Sequence, residues 1–446
     1  MLNYKGGKMD QARAVLAMPS LARMFRGATG KVFMLLCAMY FIEYVDRVNL
    51  SVAAPLIKAE YHLSNTKLGL ALSAFGYCYA AFQIIGGFAG DRFGGRIALA
   101  VLGLLWAAGT LLSGFSGGLG GLILARMLVG LGEAGTLPNG ARVISAWVPV
   151  KRRGFAQGFT HSAARLAAAL TPPFVVGLIS LVGWRGAFIA LGFISLLWVA
   201  AWFLYFRDNP GEHAGVTEAE LTVLPAYKPY GAPLVRVPWA RLIRRSMPVT
   251  LVFFCHAWTL WLYLSWLPTF FSQSYHLNLA HSAYFSSAVF LAGVVGNTAG
   301  GLLTDTIYRQ TGDVVKARRN TVILGFGCSL ICLVFVLFIR DRFVLTAALA
   351  GALFFLESTE GAIWSVPIDI APKYAGFASG IMGTAAGVAA IVSPIAFGVI
   401  ADMSGSYRLP FAVSIALLGI GMGLAFLMRP DLKVDDDDED IAGVYS

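Results

Sequence analysis

Ionisable side chains stand inside two stretches too apolar for a wet surface. The stretch FMLLCAMYFIEYVDRVNLSVAA carries Glu43, Asp46 and Arg47, and LILARMLVGLGEAGTLPNGA carries Arg126 and Glu133. At the centre of a bilayer such a group costs roughly 2.5–3.5 kcal/mol on insertion scales unless it meets a partner or a cavity. Two arginines at membrane depth form a receptor for a carboxylate, through bidentate hydrogen bonds. Asp46 and Glu133 beside them are candidate proton carriers, because an anion occupying the arginines changes which protonation state of the acids is favoured. Glu43 lies one helical turn before Arg47 and can pair with it. Arg126 and Glu133, seven residues apart, share a helix face about 10 Å apart. The alternative, ion pairs that only fasten helices, is the weaker reading, since desolvation offsets most of the Coulombic gain of a buried pair. A third arginine, Arg165, lies in the middle of an apolar stretch. It either binds a second carboxylate of a diacid or balances Glu357 or Glu360 further along. His161 and His256 also fall in apolar stretches and read as polar packing residues before proton relays. Asp369 reads as a partner for a helix end, and Trp258, Trp261, Tyr263 and Trp266 as packing and interface anchors.

The elements that must position these residues are membrane spans. Of 446 residues, 57% are hydrophobic and only 13% charged, about half the charge of a soluble domain. Each span needs about 20 apolar residues, and twelve fit: 32–54, 67–89, 97–115, 119–143, 155–181, 187–206, 249–272, 282–304, 321–340, 344–370, 376–400 and 408–428. A basic tail covers 1–30, with Leu16, Leu21, Met24 and Phe25 suggesting an interfacial helix and Met9 a second candidate start. Six spans in 31–206 and six in 248–428 flank a polar, proline-bearing linker, 207–247, and 429–446 is an acidic tail. Basic residues concentrate in alternate loops, which places both termini and the linker in the cytoplasm. The net charge of +10 is scattered over these loops, unlike a nucleic-acid-binding patch. Five cysteines inside apolar stretches suit packing rather than a disulfide framework, and no spacing suggests a metal site or a nucleophile–base pair.

Between the second and third spans stands Gly87-x-x-x-Asp91-Arg92-x-Gly94-Gly95-Arg96. Its glycines permit close helix packing and a tight turn. Asp91 at a helix end can pair with Arg92, Arg96 or a neighbouring helix terminus. A weaker echo, Gly301 to Asp305, closes the eighth span. The motif resembles the signature of the major facilitator superfamily, where it latches the cytoplasmic side in the outward-open state. Tyr44 to Ala53 resembles the first-span signature of that superfamily's anion:cation symporter branch, which includes bacterial carriers of galactonate, glucarate, hexuronates and aromatic acids, sialin and the vesicular glutamate transporters. Arg126-x-x-x-Gly130-x-Gly132-Glu133-Ala134, Trp147-x-Pro149 and Trp261-x-x-x-x-Trp266-x-Pro268 extend the match, which covers residues 30–430.

The resemblance implies an all-α membrane protein of twelve transmembrane helices in two pseudo-symmetric six-helix bundles. By it, Arg47 and Arg126 are anion-binding or coupling arginines, and Asp46 and Glu133 the protonation sites. Tyr44, Tyr79 and Trp364 line the pocket. The galactonate carriers place a glutamine in the fifth span and an asparagine in the eleventh. The comparable stretches here, His161 to Arg165 and Gly380 to Thr384, contain neither amide, which sets galactonate itself apart. The expected protein is a monomeric transporter of a bacterial inner membrane, not an enzyme. It needs no cofactor and takes up a small organic anion (sugar acid, aromatic acid or dicarboxylate) with a proton. A proton-coupled exporter predicts cavity acids without clustered arginines. An anion channel differs by steady conductance.

Overall fold

The structure is a computed structural model, and it describes residues 27–149, 153–225 and 237–434. The N-terminal tail with its suggested interfacial helix, Lys151 and Arg152, and the acidic run from Asp435 lie outside the described residues.

Every long element is helical, as a bilayer requires, because a helix satisfies its own backbone hydrogen bonds. The major helices are α1 (Ala28–Glu60), α2 (Asn65–Gly114), α3 (Leu119–Glu133), α4 (Thr136–Trp147) and α5 (Arg153–Tyr205). After a short α6 (Glu218–Leu221) come α7 (Trp239–Tyr275), α8 (Leu279–Thr311), α9 (Val314–Phe338), α10 (Arg342–Glu357), α11 (Glu360–Ile370), α12 (Ala375–Ser404) and α13 (Pro410–Ala425). Among the described residues nine helical segments are long and apolar enough to cross a membrane, one of them Ala156–Tyr205. That one folds back at Gly183, and the first arm of α2 with the shorter α13 completes twelve spans.

Two expected loops are single-residue breaks. Helix α2 turns only at Gly94 (φ 88°, ψ 157°) and α5 only at Gly183 (φ 72°, ψ 170°). These angles suit glycine, which has no Cβ to clash. The stretches left between the expected spans, 90–96 and 182–186, are therefore mostly helix. Helix α7 begins at Trp239, inside the stretch expected as linker; there the Trp239 ring packs edge-on against Phe377, 5.3 Å between centroids.

Two other spans are interrupted where no break was expected. The fourth span breaks between α3 and α4, immediately after Glu133, and the tenth between α10 and α11, immediately after Glu357. These are corresponding places in the two halves. Side chains add donors to the carbonyls around each break. Thr136 Oγ1 donates to the Glu133 carbonyl at 2.7 Å and Asn139 Nδ2 to that of Gly135 at 2.6 Å. Ser358 and Thr359 donate to Phe355 and Leu356, both at 2.7 Å.

The two bundles meet along α2 and α12, α5 and α8, and α1 and α7. At the end away from the termini, the Asp402 carboxylate of α12 accepts from the Asn65 and Thr66 amides at 3.0 and 2.7 Å, so it caps the start of α2. Tyr407 OH receives the Lys58 ammonium at 3.0 Å and donates to Asn65 at 2.7 Å. Small residues then let α2 and α12 run close: a Cβ on Gly387 would lie 3.0 Å from the Ala80 Cα.

Inside the C-terminal half, a Cβ on Gly300 would strike the Ser358 main chain, whereas one on Gly301 meets nothing within 4 Å. Gly300→Ala should therefore force α8 off the broken tenth span and cost about 1–3 kcal/mol. Gly301→Ala should be neutral or stabilising by up to about 1 kcal/mol. Melting curves of the purified variants, followed by size-exclusion chromatography, check the order; equal melting temperatures would contradict this packing.

Candidate functional site

The close approach of α3 to α2 starts the site. A Cβ on Gly130 would run into the Phe75 carbonyl, so only glycine allows this contact. The Phe75 ring consequently lies under two guanidinium groups, 5.4 Å from Arg47 and 5.6 Å from Arg126. Tyr44 and Tyr79 complete an aromatic wall around Arg47, at 4.7 and 5.0 Å. Such faces attract a cation, and more strongly when water is excluded.

Arg47 Nε donates to Glu133 Oε2 at 2.6 Å, and Glu43 lies 4.0 Å from Arg47 Nη2. Arg126 Nη1 donates to the main-chain carbonyl of Asp46 at 2.8 Å. The Asp46 carboxylate turns the other way: Asn49 Nδ2 donates to it at 3.0 Å and Ser195 Oγ at 3.4 Å. Relative exposure is 0% for Glu43, Asp46 and Glu133, 2% for Arg126 and 8% for Arg47, so none of these charges is compensated by bulk water. Several of their polar atoms are buried without a hydrogen-bond partner: Arg47 Nη2, Arg126 Nε, Glu133 Oε1 and both Glu43 oxygens. Buried polar groups are normally satisfied, so such a concentration of free donors and acceptors marks a site and not a fastening.

Arg165, from α5, reaches across to the other bundle. Its Nε meets Glu357 Oε2 at 3.0 Å and its Nη2 meets Glu360 Oε1 at 2.7 Å. The reading in which Arg165 balances those acids thus describes this structure, and it balances both. Tyr44 links the two groups, because its ring carries Arg47 on one side and its hydroxyl accepts from Arg165 Nη1 at 3.5 Å. Trp364 stands apart from the arginines. Its ring lies 6.4 Å from His161, which in turn lies 6.0 Å from Tyr40.

His256, expected as a polar packing residue, also meets a carboxylate. It is fully buried, with Nε2 3.0 Å from Glu360 Oε2. No nearby charge in the sequence signals that contact, since 104 positions separate the two residues. Phe75, Asn49 and Ser195 were also missed. Of these only Phe75 left a trace, four residues before Tyr79 on one helix face. Asp369 pairs with Arg318 at 3.0 Å, the helix-end role anticipated for it.

The residues of the 87–96 motif lie at the other end of the N-terminal bundle. Gly94 makes the break, and a Cβ on Gly87 would touch Pro138 at 3.4 Å. Arg92 is exposed, and the Asp91 side chain lies outside the described residues. Arg96 donates through Nε to the Phe203 carbonyl at 2.9 Å and through its main-chain amide to Asp208 at 3.1 Å. All five cysteines are free thiols.

Comparison with known proteins agrees with this architecture. A family model described as Major Facilitator Superfamily matches residues 36–375. A "Probable sulfoacetate transporter" of Cupriavidus necator is 45% identical over 91% of this chain and 94% of its own length. A "Probable L-galactonate transporter" of Escherichia coli is 29% identical over 88% of this chain and 87% of its own. Among solved structures, a bacterial homolog of the human lysosomal transporter Spinster, inward-facing and unoccupied, superposes with a TM-score of 0.74 at 16% identity, covering 90% of this chain and 97% of that one. Twelve helical spans, paired broken helices at mid-depth and these relatives converge: the chain belongs to the Major Facilitator Superfamily of membrane transporters, in the anion:cation symporter branch that its motifs resemble.

Proposed function

We propose that the protein takes up a small organic anion together with a proton, across a bacterial inner membrane, by alternating access. The observation that carries this is the pair Arg47 and Arg126, buried beside three acids with donors left over. A carboxylate or sulfonate offers those donors the acceptors they lack. Protonation of Glu133 releases Arg47 from its 2.6 Å bond, and protonation of Asp46 removes a second carboxylate charge from the cluster. The freed arginines then take the anion, and the neutralised site allows the bundles to rock. We place both termini in the cytoplasm, so the end joined by Asp402 and Tyr407 is the extracytoplasmic face. The proton gradient drives the cycle, with no bound cofactor, and the 87–96 motif acts as the cytoplasmic latch.

We infer further that the anion is compact and carries two acid groups. Arg47 and Arg165 lie 4.7 and 5.8 Å from one ring centre, that of Tyr44, so their charges are no more than about 10.5 Å apart. A guanidinium bound to an acid group places their central atoms about 4 Å apart. Two such contacts leave about 2.5 Å between the acid centres, room for a spacer of one carbon, which suits a molecule like sulfoacetate better than an extended sugar acid. The second acid group competes with Glu357 and Glu360 for Arg165. The similarity to the Cupriavidus relative supports the same substrate class.

Arg126→Ala should abolish accumulation of labelled sulfoacetate in cells. Accumulation equal to the wild type would refute the role of that arginine. Glu133→Gln should exchange labelled for unlabelled anion across proteoliposomes yet fail to concentrate it against a gradient when a proton gradient is imposed. Concentration by this variant would remove Glu133 from the coupling. Sulfoacetate should raise the melting temperature of the purified protein more than galactonate at equal concentration, because a ligand at about 100 times its Kd adds about 2.7 kcal/mol to the native state. The reverse order would overturn the assignment to compact diacids.

A further inference from the structure

A second group of ionisable side chains surrounds Glu360, and its charges do not balance without one more proton. Thr359 Oγ1 lies 2.7 Å from the Leu356 carbonyl and 3.2 Å from His256 Nδ1. The Leu356 carbonyl already accepts from the Thr359 amide at 3.1 Å, so the hydroxyl hydrogen can go to that carbonyl or to Nδ1. His256 Nδ1 is the donor to Thr359 in the first case and the acceptor in the second. A neutral imidazole with its hydrogen on Nδ1 has a bare lone pair on Nε2. That Nε2 faces Glu360 Oε2 at 3.0 Å. The two atoms are off the line of an ordinary hydrogen bond, and neither has another partner. In the first case a lone pair faces a carboxylate oxygen, which is repulsive unless a proton is shared between them.

The charges point the same way. Glu357 and Glu360 are two carboxylates, and one guanidinium, Arg165, meets both at 3.0 and 2.7 Å. The other groups facing the cluster are His161 of α5, Tyr44 of α1 and, one layer beyond, Arg47, which is already taken by Glu133. Asn297 of α8 donates to Glu357 at 3.4 Å but carries no charge. One surplus negative charge is left among these groups, shared between Glu357, which is 2% exposed, and Glu360.

We propose that His256 and Glu360 hold one proton between them, making a second proton-binding site in the C-terminal bundle, separate from Asp46 and Glu133. Arg165 belongs to the other bundle, so the site also governs how tightly the bundles are joined at mid-depth. Without the proton, two full carboxylates grip the guanidinium; with it, the grip is weaker and the bundles part more readily. A proton gained on one side and lost on the other crosses with each cycle. His256, Glu357 and Glu360 also have the spacing of a metal site, their ligand atoms lying within 4.8 Å of one another. A divalent cation there would have to evict Arg165 from both carboxylates.

Neither part of the test requires transport, so it stands apart from the choice of anion. Purified protein in weakly buffered liposomes, without added anion, is taken from low to high pH while released protons are counted with an indicator dye. Glu360→Gln should release one proton fewer than the wild type, and Asp46→Asn should leave that difference intact. An unchanged count in Glu360→Gln would overturn the proposal. Nitrogen NMR of histidine-labelled wild type, with His256 assigned by its loss in His256→Gln, needs no variant of Glu360. It should show hydrogen on Nδ1; a bare Nδ1 with hydrogen on Nε2 would mean a neutral ring donating directly to the carboxylate, and no added proton. Stabilisation of the wild type by Zn2+ that Glu360→Gln abolishes would identify a metal site instead and also overturn it.

Discussion

Charge that water cannot reach must be compensated by its neighbours, and the whole architecture depends on this constraint. Removing one partner of a buried ion pair costs about 3–5 kcal/mol, so Arg47 cannot let go of Glu133 unless something of equal effect takes its place. A proton on the acid and an anion on the base are together such a replacement; either alone is not. The surroundings sharpen the requirement. Glu43, Asp46 and Glu133 outnumber Arg47 and Arg126 by one, and Glu357 and Glu360 outnumber Arg165 by one. A cluster with surplus carboxylates repels an unaccompanied anion, so the arginine count alone would give a misleading picture of an anion receptor. On the proposed mechanism, coupling follows from local neutrality rather than from an added device.

Neutrality has to be arranged at the right depth, and broken helices do this. Glu133 is the last residue of α3 and Glu357 the last of α10, so each half ends a helix in an acid at the middle of its fourth span. A break in a span exposes main-chain carbonyls that lipid cannot satisfy. The residues that follow, Thr136 and Asn139 in one half and Ser358 and Thr359 in the other, supply side-chain donors there, beside the main-chain bonds that Gly135 and Leu356 keep. Glycines bring the second and eighth spans against these breaks: Gly86 on Gly135, and Gly300 on Ser358. The parallel holds for packing and for the acid but not for the basic partner. Glu133 meets an arginine of its own bundle, whereas Glu357 meets one from the opposite bundle.

The spans, their number and the charged residues of the first cluster were legible because a bilayer leaves so few ways to hide a polar group. Glu43, Asp46, Arg47, Arg126 and Glu133 stand out in any apolar window, and their assembly around Arg47 follows from two helices facing each other. The breaks after Glu133 and Glu357 were hidden because hydropathy is continuous across them. The single-residue turns at Gly94 and Gly183 were read as longer loops, since polarity around a turn says nothing of how many residues depart from helical angles. The carboxylate contact of His256 was missed for a different reason. A histidine among Phe253, Ala257 and Trp258 looks like packing until the fold brings the tenth span to it.

Tyr44 shows how the two clusters can work as one. Its ring is shared by Arg47 and Arg165, and its hydroxyl meets only the second. A rigid aromatic plane between two cations fixes their spacing more firmly than a flexible side chain would, since it has few rotamers and no charge to relocate. Tyr44 thus touches both arginines, and the other contacts of Arg165 lie in the opposite bundle. Phenylalanine at this position would keep the ring and the stacking but drop the hydroxyl, separating the part played by shape from the part played by the hydrogen bond.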